Sequence, residues 1–159
     1  MFRPIRRTKR AISDEAAKTL LKSSRRGVLA VNGDDGYPYA VPVNYLYDEM
    51  SNAILFHGAK AGHKFDSLKA SDKVCFTVFG NETVKEEEAW APYVQSVVVF
   101  GRCEMVENLE DSLELVKKLA MKYYPNEQLA DDEISKDGKA VQMFRINIEH
   151  LSGKQIQEK

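Results

Sequence analysis

The stretch "GVLAVNGDDGYPYAVPVNYLYDEMSNAILFHGA", residues 27–59, constrains the fold more than any other. Three apolar, strand-like runs follow one another with only short turn segments between them, at Asp34-Asp35-Gly36 and around Ser51-Asn52. Parallel neighbours need a crossover of a dozen or more residues, usually a helix, so consecutive strands joined this tightly must run antiparallel. Two further strand-like runs, "DKVCFTVFG" and "VQSVVVFGRCEMVE", flank the acidic loop "KEEEAWAP", and "KAVQMFRINIEHLSG" gives a sixth. A doubly wound parallel sheet would require a helix after nearly every strand, and the hairpins deny it. Six antiparallel strands with few helices are best relieved of exposed edges by closing on themselves. The expected architecture is mainly β: a small six-stranded antiparallel barrel with three to four flanking helices.

The helices announce themselves by their ends. "AISDEAAKTLLKSSRRG" has Ser13 to cap it, Asp14 and Glu15 in its first turn, and Gly27 after its last basic turn. "GHKFDSLKAS" reads as a short helix with Phe65 and Leu68 on one face. "NLEDSLELVKKLAMKYYP" is the clearest: Leu109, Leu113, Val116, Ala120 and Tyr123 recur at helical spacing, Asn108 caps the start, and Pro125 lies beyond the end. The polar stretch after it carries no comparable signal. With 159 residues, 43% of them hydrophobic, the chain is expected to form one domain over its whole length, 1–159.

Charge and cysteine usage narrow the function classes. A net charge of −1 gives no overall field that draws nucleic acid. The basic opening "MFRPIRRTKR", within an arm of residues 1–12, has no apolar segment after it of the kind a secretory leader shows, and reads as a solvated or partner-contacting arm. No run approaches the ~18 apolar residues that span a bilayer. Cys75 and Cys103 lie in apolar strands and read as thiols rather than a disulfide, so the expected compartment is the cytoplasm, with neither nucleic acid nor membrane as partner.

The chemistry concentrates in "FHGAKAGHK", residues 56–64. A strand ends at His57, glycines at 58 and 62 allow a tight turn, and a helix begins near Gly62 with His63 and Lys64 in its first turn. Free N–H groups, a positive helix end and two cationic side chains are the ingredients of an anion site. The spacing is not that of a Walker A loop. A solvated loop accounts for these residues equally well. A zinc site is less well served, with no cysteine nearby and only His150 as a third imidazole. Pro42 interrupts a strand ladder and marks an edge, a bulge or a gap; there, with Val43 and Asn44, the backbone can offer its polar groups to a flat heterocycle. Ser96 opens a strand, where its hydroxyl can reach a phosphate or simply end the strand.

Taken jointly, the Pro-Tyr-x-x-Pro-Val strand, the F-H-G-A-x-x-G-x-K turn and the Y-x-x-S-V strand, in that order, resemble the pyridoxamine-phosphate-oxidase-like flavoproteins, and among them the nitroimidazole-resistance (Nim) branch. The resemblance runs from "RPIRRTKRAISDEAAKTLL" to "INIEHLSGK". It implies an FMN-binding split barrel that works as a homodimer, with FMN between the subunits. It places His57, Gly58 and Ala59 beside the ribityl chain and phosphate, and His63 and Lys64 at the phosphate. Pro42, Val43 and Asn44 would line the flavin ring, and Ser96 would meet the ribityl-phosphate end. The implied activity is reduction of a small aromatic or nitro-heteroaromatic acceptor, with His57 as the candidate proton donor. The rival is a protein that holds flavin or haem without turnover, with His57, His63 or His150 as the axial ligand. The turn of the pyridoxamine phosphate oxidases is richer in arginine than this one, so vitamin B6 oxidation is not implied.

Overall fold

In the computed structural model, residues 1–84 and 92–157 are described. Most of the acidic loop, residues 85–91, lies outside them. The strands are β1 (Arg26–Asn32), β2 (Pro38–Asp48), β3 (Ala53–Gly58), β4 (Lys73–Val84), β5 (Pro92–Val106) and β6 (Gln142–Gln157). The helices are α1 (Asp14–Ser23), α2 (His63–Ala70), α3 (Leu109–Tyr123) and α4 (Glu127–Asp137). All strand pairs are antiparallel, and the sheet closes in the order β1-β2-β3-β6-β5-β4. The barrel expected from the hairpins is therefore present.

Alternation along the strands sorts the wall into two faces. Leu29, Val31, Tyr45, Phe56, Phe76, Val78, Val97, Val99, Phe144 and Ile146 point inward and are buried, joined by Ala17, Leu20 and Leu21 of α1. The positions between them face outward. On β1, β4 and β5 these outer residues are Val28, Ala30, Cys75, Thr77, Phe79, Ser96 and Val98, a strip without charge. Phe79 is 70% exposed there. α3 covers the outer face elsewhere, where Leu115 and Leu119 pack on Leu55 and Met143.

One expectation is corrected, and the fourth of the three to four expected helices is located. The polar stretch after α3 is itself a helix, α4, capped by the Asn126 side chain accepting from the Leu129 N–H. It hides only Ala130, so its sequence has no apolar stripe, and it is held to α3 by Lys117 pairing with Glu127 and Asp131. The buried stripe of α3 is Ser112, Leu115, Leu119 and Ala120, whereas Leu109 is exposed. The buried face is thus rotated from the one first read, and Leu113, Val116 and Tyr123 are only half-buried. Asn108 caps α3 as expected, accepting from the Asp111 N–H.

The basic arm is not simply solvated. Ala11 bridges to Lys154, the Ile12 N–H donates to the Gly153 carbonyl at 3.0 Å, and Phe2 stacks on Phe100 and His150 with ring centroids 5.5 and 5.0 Å away. No helix among the described residues is long and apolar enough to cross a membrane. Cys75 and Cys103 are both free thiols.

Candidate functional site

The turn between β3 and α2 is built as an uncompensated cationic cradle. Gly62 precedes α2 at φ +107°, a conformation that side chains resist, and no side chain caps the helix. Among the described residues, the first-turn N–H groups of His63, Lys64 and Phe65 consequently find no acceptor. Lys64 folds back over the turn: a Cβ placed on Gly58 would lie 3.0 Å from its Nζ, which sits 5.9 Å from the Phe56 ring centroid. Among the described residues no carboxylate pairs with this ammonium, and burial pushes its pKa down. His57, paired with Met143 at the end of β3, is held below the usual imidazole range by burial first and by Lys64 second. An unpaired ammonium beside a neutral imidazole and open N–H groups is a place where an anion gains on all three.

The neighbouring predicted residues divide. His63 leaves the cradle: its ring stacks on Tyr39 at 4.0 Å, and its Nε2 lies 3.8 Å from Asp34. Ala59 is exposed in the loop, and Lys60 ties that loop to the chain after α4 by donating to the Lys139 carbonyl at 3.0 Å. On β2, Pro42 pairs with Val28 of β1, but β3 joins β2 only from Tyr45 onward. Residues 38–44 therefore have a strand on one side only, and Pro42 marks the gap in the barrel wall. Val43 is a core residue, 8% exposed, so only its backbone can meet a ligand. Its parity with Tyr45 and Tyr47 turns it inward.

Asn44 and His57 are brought together on the wall of a cavity of about 430 Å³. Ser96 is not. Three strand spacings of ~4.8 Å each separate β2 from β5 around the wall, in the order β2-β1-β4-β5. Ser96 sits beside the exposed Phe79 on the uncharged outer strip.

Sequence reading missed the other side of this cavity, which α3 and α4 supply through Val116, Leu119, Tyr123, Glu133, Ile134 and Asp137, among others. Tyr123 also closes the ladder where β2 parts from β1. Its hydroxyl accepts from the Tyr45 N–H at 2.8 Å and lies 2.6 Å from the Tyr45 carbonyl and 2.5 Å from that of Arg25. Lys122 donates to the carbonyls of Ser24 and Tyr45. Burial, and then Arg25, push its pKa down to about 8. Tyr123 had appeared in the helical stripe, but no local signal told which strand α3 would lie across. Among the described residues no three His, Cys, Asp or Glu side chains cluster as metal ligands.

The profile of the family described as pyridoxamine 5'-phosphate oxidase matches residues 13–155, nearly the whole barrel and its helices. The chain belongs to that family. No curated protein matches it significantly in sequence. Solved structures with the same fold include a candidate 5-nitroimidazole antibiotic resistance protein of Bacteroides thetaiotaomicron, 15% identical with a TM-score of 0.78, over 92% of this chain and 87% of that one. The flavocytochrome Anf3 of Azotobacter vinelandii is 20% identical, with a TM-score of 0.77 over 98% of this chain and 73% of its own. A FAD-binding protein of Mesorhizobium loti is 24% identical, with a TM-score of 0.64 over 92% and 96%. At these identities the likeness is one of fold. Within the pyridoxamine 5'-phosphate oxidase family, then, the chain's activity has to be argued from its own cradle and cavity.

Proposed function

We propose that this chain is a cytoplasmic, homodimeric, FMN-dependent oxidoreductase that reduces a small aromatic or nitro-heteroaromatic acceptor. The observation that carries the reading is the unpaired Lys64 over Gly58, beside the uncapped start of α2. This donor set fits a phosphate: one ammonium with no carboxylate partner among the described residues, plus backbone N–H groups at a positive helix end. Two structures of the same fold, one described as a FAD-binding protein and one as a flavocytochrome, support a flavin as the molecule bearing that phosphate. The open side of β2 at Pro42–Asn44 would then offer backbone groups to the ring.

A bound flavin would supply hydride or electron transfer, and the chain's task is to position the acceptor and manage protons. His57 stands between cradle and cavity. Its depressed pKa leaves the imidazole neutral at pH 7, so it rests as a hydrogen-bonding group, and a phosphate dianion nearby would raise its proton affinity towards the acid needed for donation. The dimer reading draws on the uncharged outer strip that carries the exposed Phe79 beside Ser96. The free thiols suit a reducing compartment. Holding haem instead would fall to His57, since the His63 and His150 rings are packed against Tyr39 and Phe2.

The test is an FMN titration of the purified protein and of Lys64→Ala, followed by flavin absorbance. Loss of a hydrogen bond to a charged group should weaken binding by about 1.5–3 kcal/mol. Equal affinity in the two proteins refutes the assignment of the cradle to phosphate, and a sharp Soret band in place of flavin bands would favour haem.

A further inference from the structure

The cavity beyond His57 asks for a ligand of its own. Of the nine residues read from sequence as the site, only Asn44 and His57 line it; the cradle at Gly58 and Lys64 does not. Its volume, about 430 Å³, lies in the range of small-molecule sites. The apolar wall comes from Val116, Leu119, Ile134 and Val141, and Tyr123 and Tyr124 add aromatic rings. Against this wall the charged lining residues are two carboxylates, Glu133 and Asp137, with no lysine or arginine among them. One helical turn apart on α4, they share a face. Among the described residues neither is paired with a cation, although Lys117 on the facing helix is engaged by two other acids of α4, Glu127 and Asp131. Both lie toward the C-terminal end of α4, whose carbonyls add further negative potential. Gly138, where a Cβ would approach Ile134 and Leu113 to 3.0 Å, lets this end come close to α3.

We propose that this cavity is the acceptor subsite and selects a small, planar, cationic molecule: an amidinium, an aromatic amine salt or a protonated heteroaromatic ring. The apolar wall and tyrosine rings take the flat body, and Glu133 and Asp137 take the charge. The molecule then meets Asn44 and His57 at the inner end. The inference rests on the flavin reading only in calling the occupant an acceptor; the charge preference of the cavity is tested without turnover.

The probes are benzamidine, benzamide and benzoate, of equal shape and differing charge, titrated by protein amide NMR shifts into the parent and into the Glu133→Gln/Asp137→Asn double variant. Benzamidine should bind the parent at least tenfold more tightly than benzamide, with benzoate weakest, and in the double variant its affinity should fall to that of benzamide. Benzamidine binding no better than benzamide, or binding both proteins equally, overturns the proposal. FMN titrated into the same two proteins separates the readings, since removing negative charge cannot weaken an anion's binding. If FMN fails to bind the parent while the benzamidine preference holds, the cationic cavity stands and the flavin reading falls. If FMN binds and the preference is absent, the cavity proposal falls alone.

Discussion

Replacing Tyr123 by phenylalanine deletes one oxygen at the point where β2 leaves β1 for β3, and the structure permits the cost to be worked out. Three backbone groups meet that hydroxyl: the N–H and carbonyl of Tyr45 and the carbonyl of Arg25. They are not equally dependent on it. The Tyr45 carbonyl keeps Lys122 as a donor at 3.0 Å, and Arg25 is exposed, so its carbonyl can turn to water. The Tyr45 N–H has no such alternative, because Tyr45 is 0% exposed. One buried donor left unsatisfied costs about 1–3 kcal/mol. For a domain of 150–250 residues each kcal/mol lowers Tm by about 2–4 °C, so a central cost of about 2 kcal/mol gives a fall of ~4–8 °C. Thermal unfolding followed by circular dichroism on parent and Tyr123→Phe measures it. Tyr124→Phe is the control, since among the described residues that hydroxyl holds no backbone group, and it should stay within ~1 °C of the parent. If Tyr123→Phe also stays within ~1 °C, the hydroxyl does not hold the ladder, and the account of how α3 fixes β2 beside Asn44 is wrong.

Two other predictions are shorter. Asn108→Ala removes the side-chain acceptor at the start of α3 and should cost about 1 kcal/mol in urea unfolding, with the m-value unchanged; a midpoint equal to the parent's would show that the cap adds nothing. Phe79→Asp places a charge on the uncharged outer strip, which a monomer tolerates and a dimer does not, so sedimentation should show a dimeric parent and a monomeric variant. A parent that is monomeric with FMN bound refutes the homodimer.

The barrel was legible because its evidence is local. Turns such as Asp34–Gly36, where Asp35 and Gly36 take positive φ, join strands that are neighbours both in sequence and in space. Nothing local tells that β6 inserts between β3 and β5, since that contact joins Phe56 to Phe144 across most of the chain. α4 escaped notice because one buried alanine makes no periodic stripe. The cradle was legible for the same reason as the hairpins: strand end, glycines and helix start are contiguous from His57 to Lys64. The far wall of the cavity, with Tyr123, Glu133 and Asp137, comes from helices far along the chain, and only packing sets it across from His57. Val43 could have been turned inward on sequence alone, from its even spacing with Tyr45 and Tyr47.

If the cradle holds the phosphate of FMN as proposed, the coupling between His57 and Lys64 makes that binding a proton-linked event. In the free chain, burial and the Lys64 charge both oppose protonation of His57, which therefore titrates below 6.5. A phosphate dianion in the cradle offsets the Lys64 charge and adds its own attraction, so the imidazole pKa must rise on binding. Between the free and the bound value, binding takes up a proton, and affinity for FMN gains as pH falls through that window until the free value is passed. The phosphate contributes with the opposite sign: its second ionisation, near pH ~6, is favoured by the same cations and releases a proton. The two terms are separated by His57→Gln, which keeps a hydrogen-bond donor but cannot titrate. Calorimetric titrations of FMN near pH 6.5, in buffers of different ionisation enthalpy, should show proton uptake more positive in the parent than in the variant by a sizeable fraction of one proton. If the two proteins exchange the same number of protons, His57 does not sense the phosphate. The histidine would then line the cavity alone, and its candidacy as a proton donor next to a bound flavin would go with it.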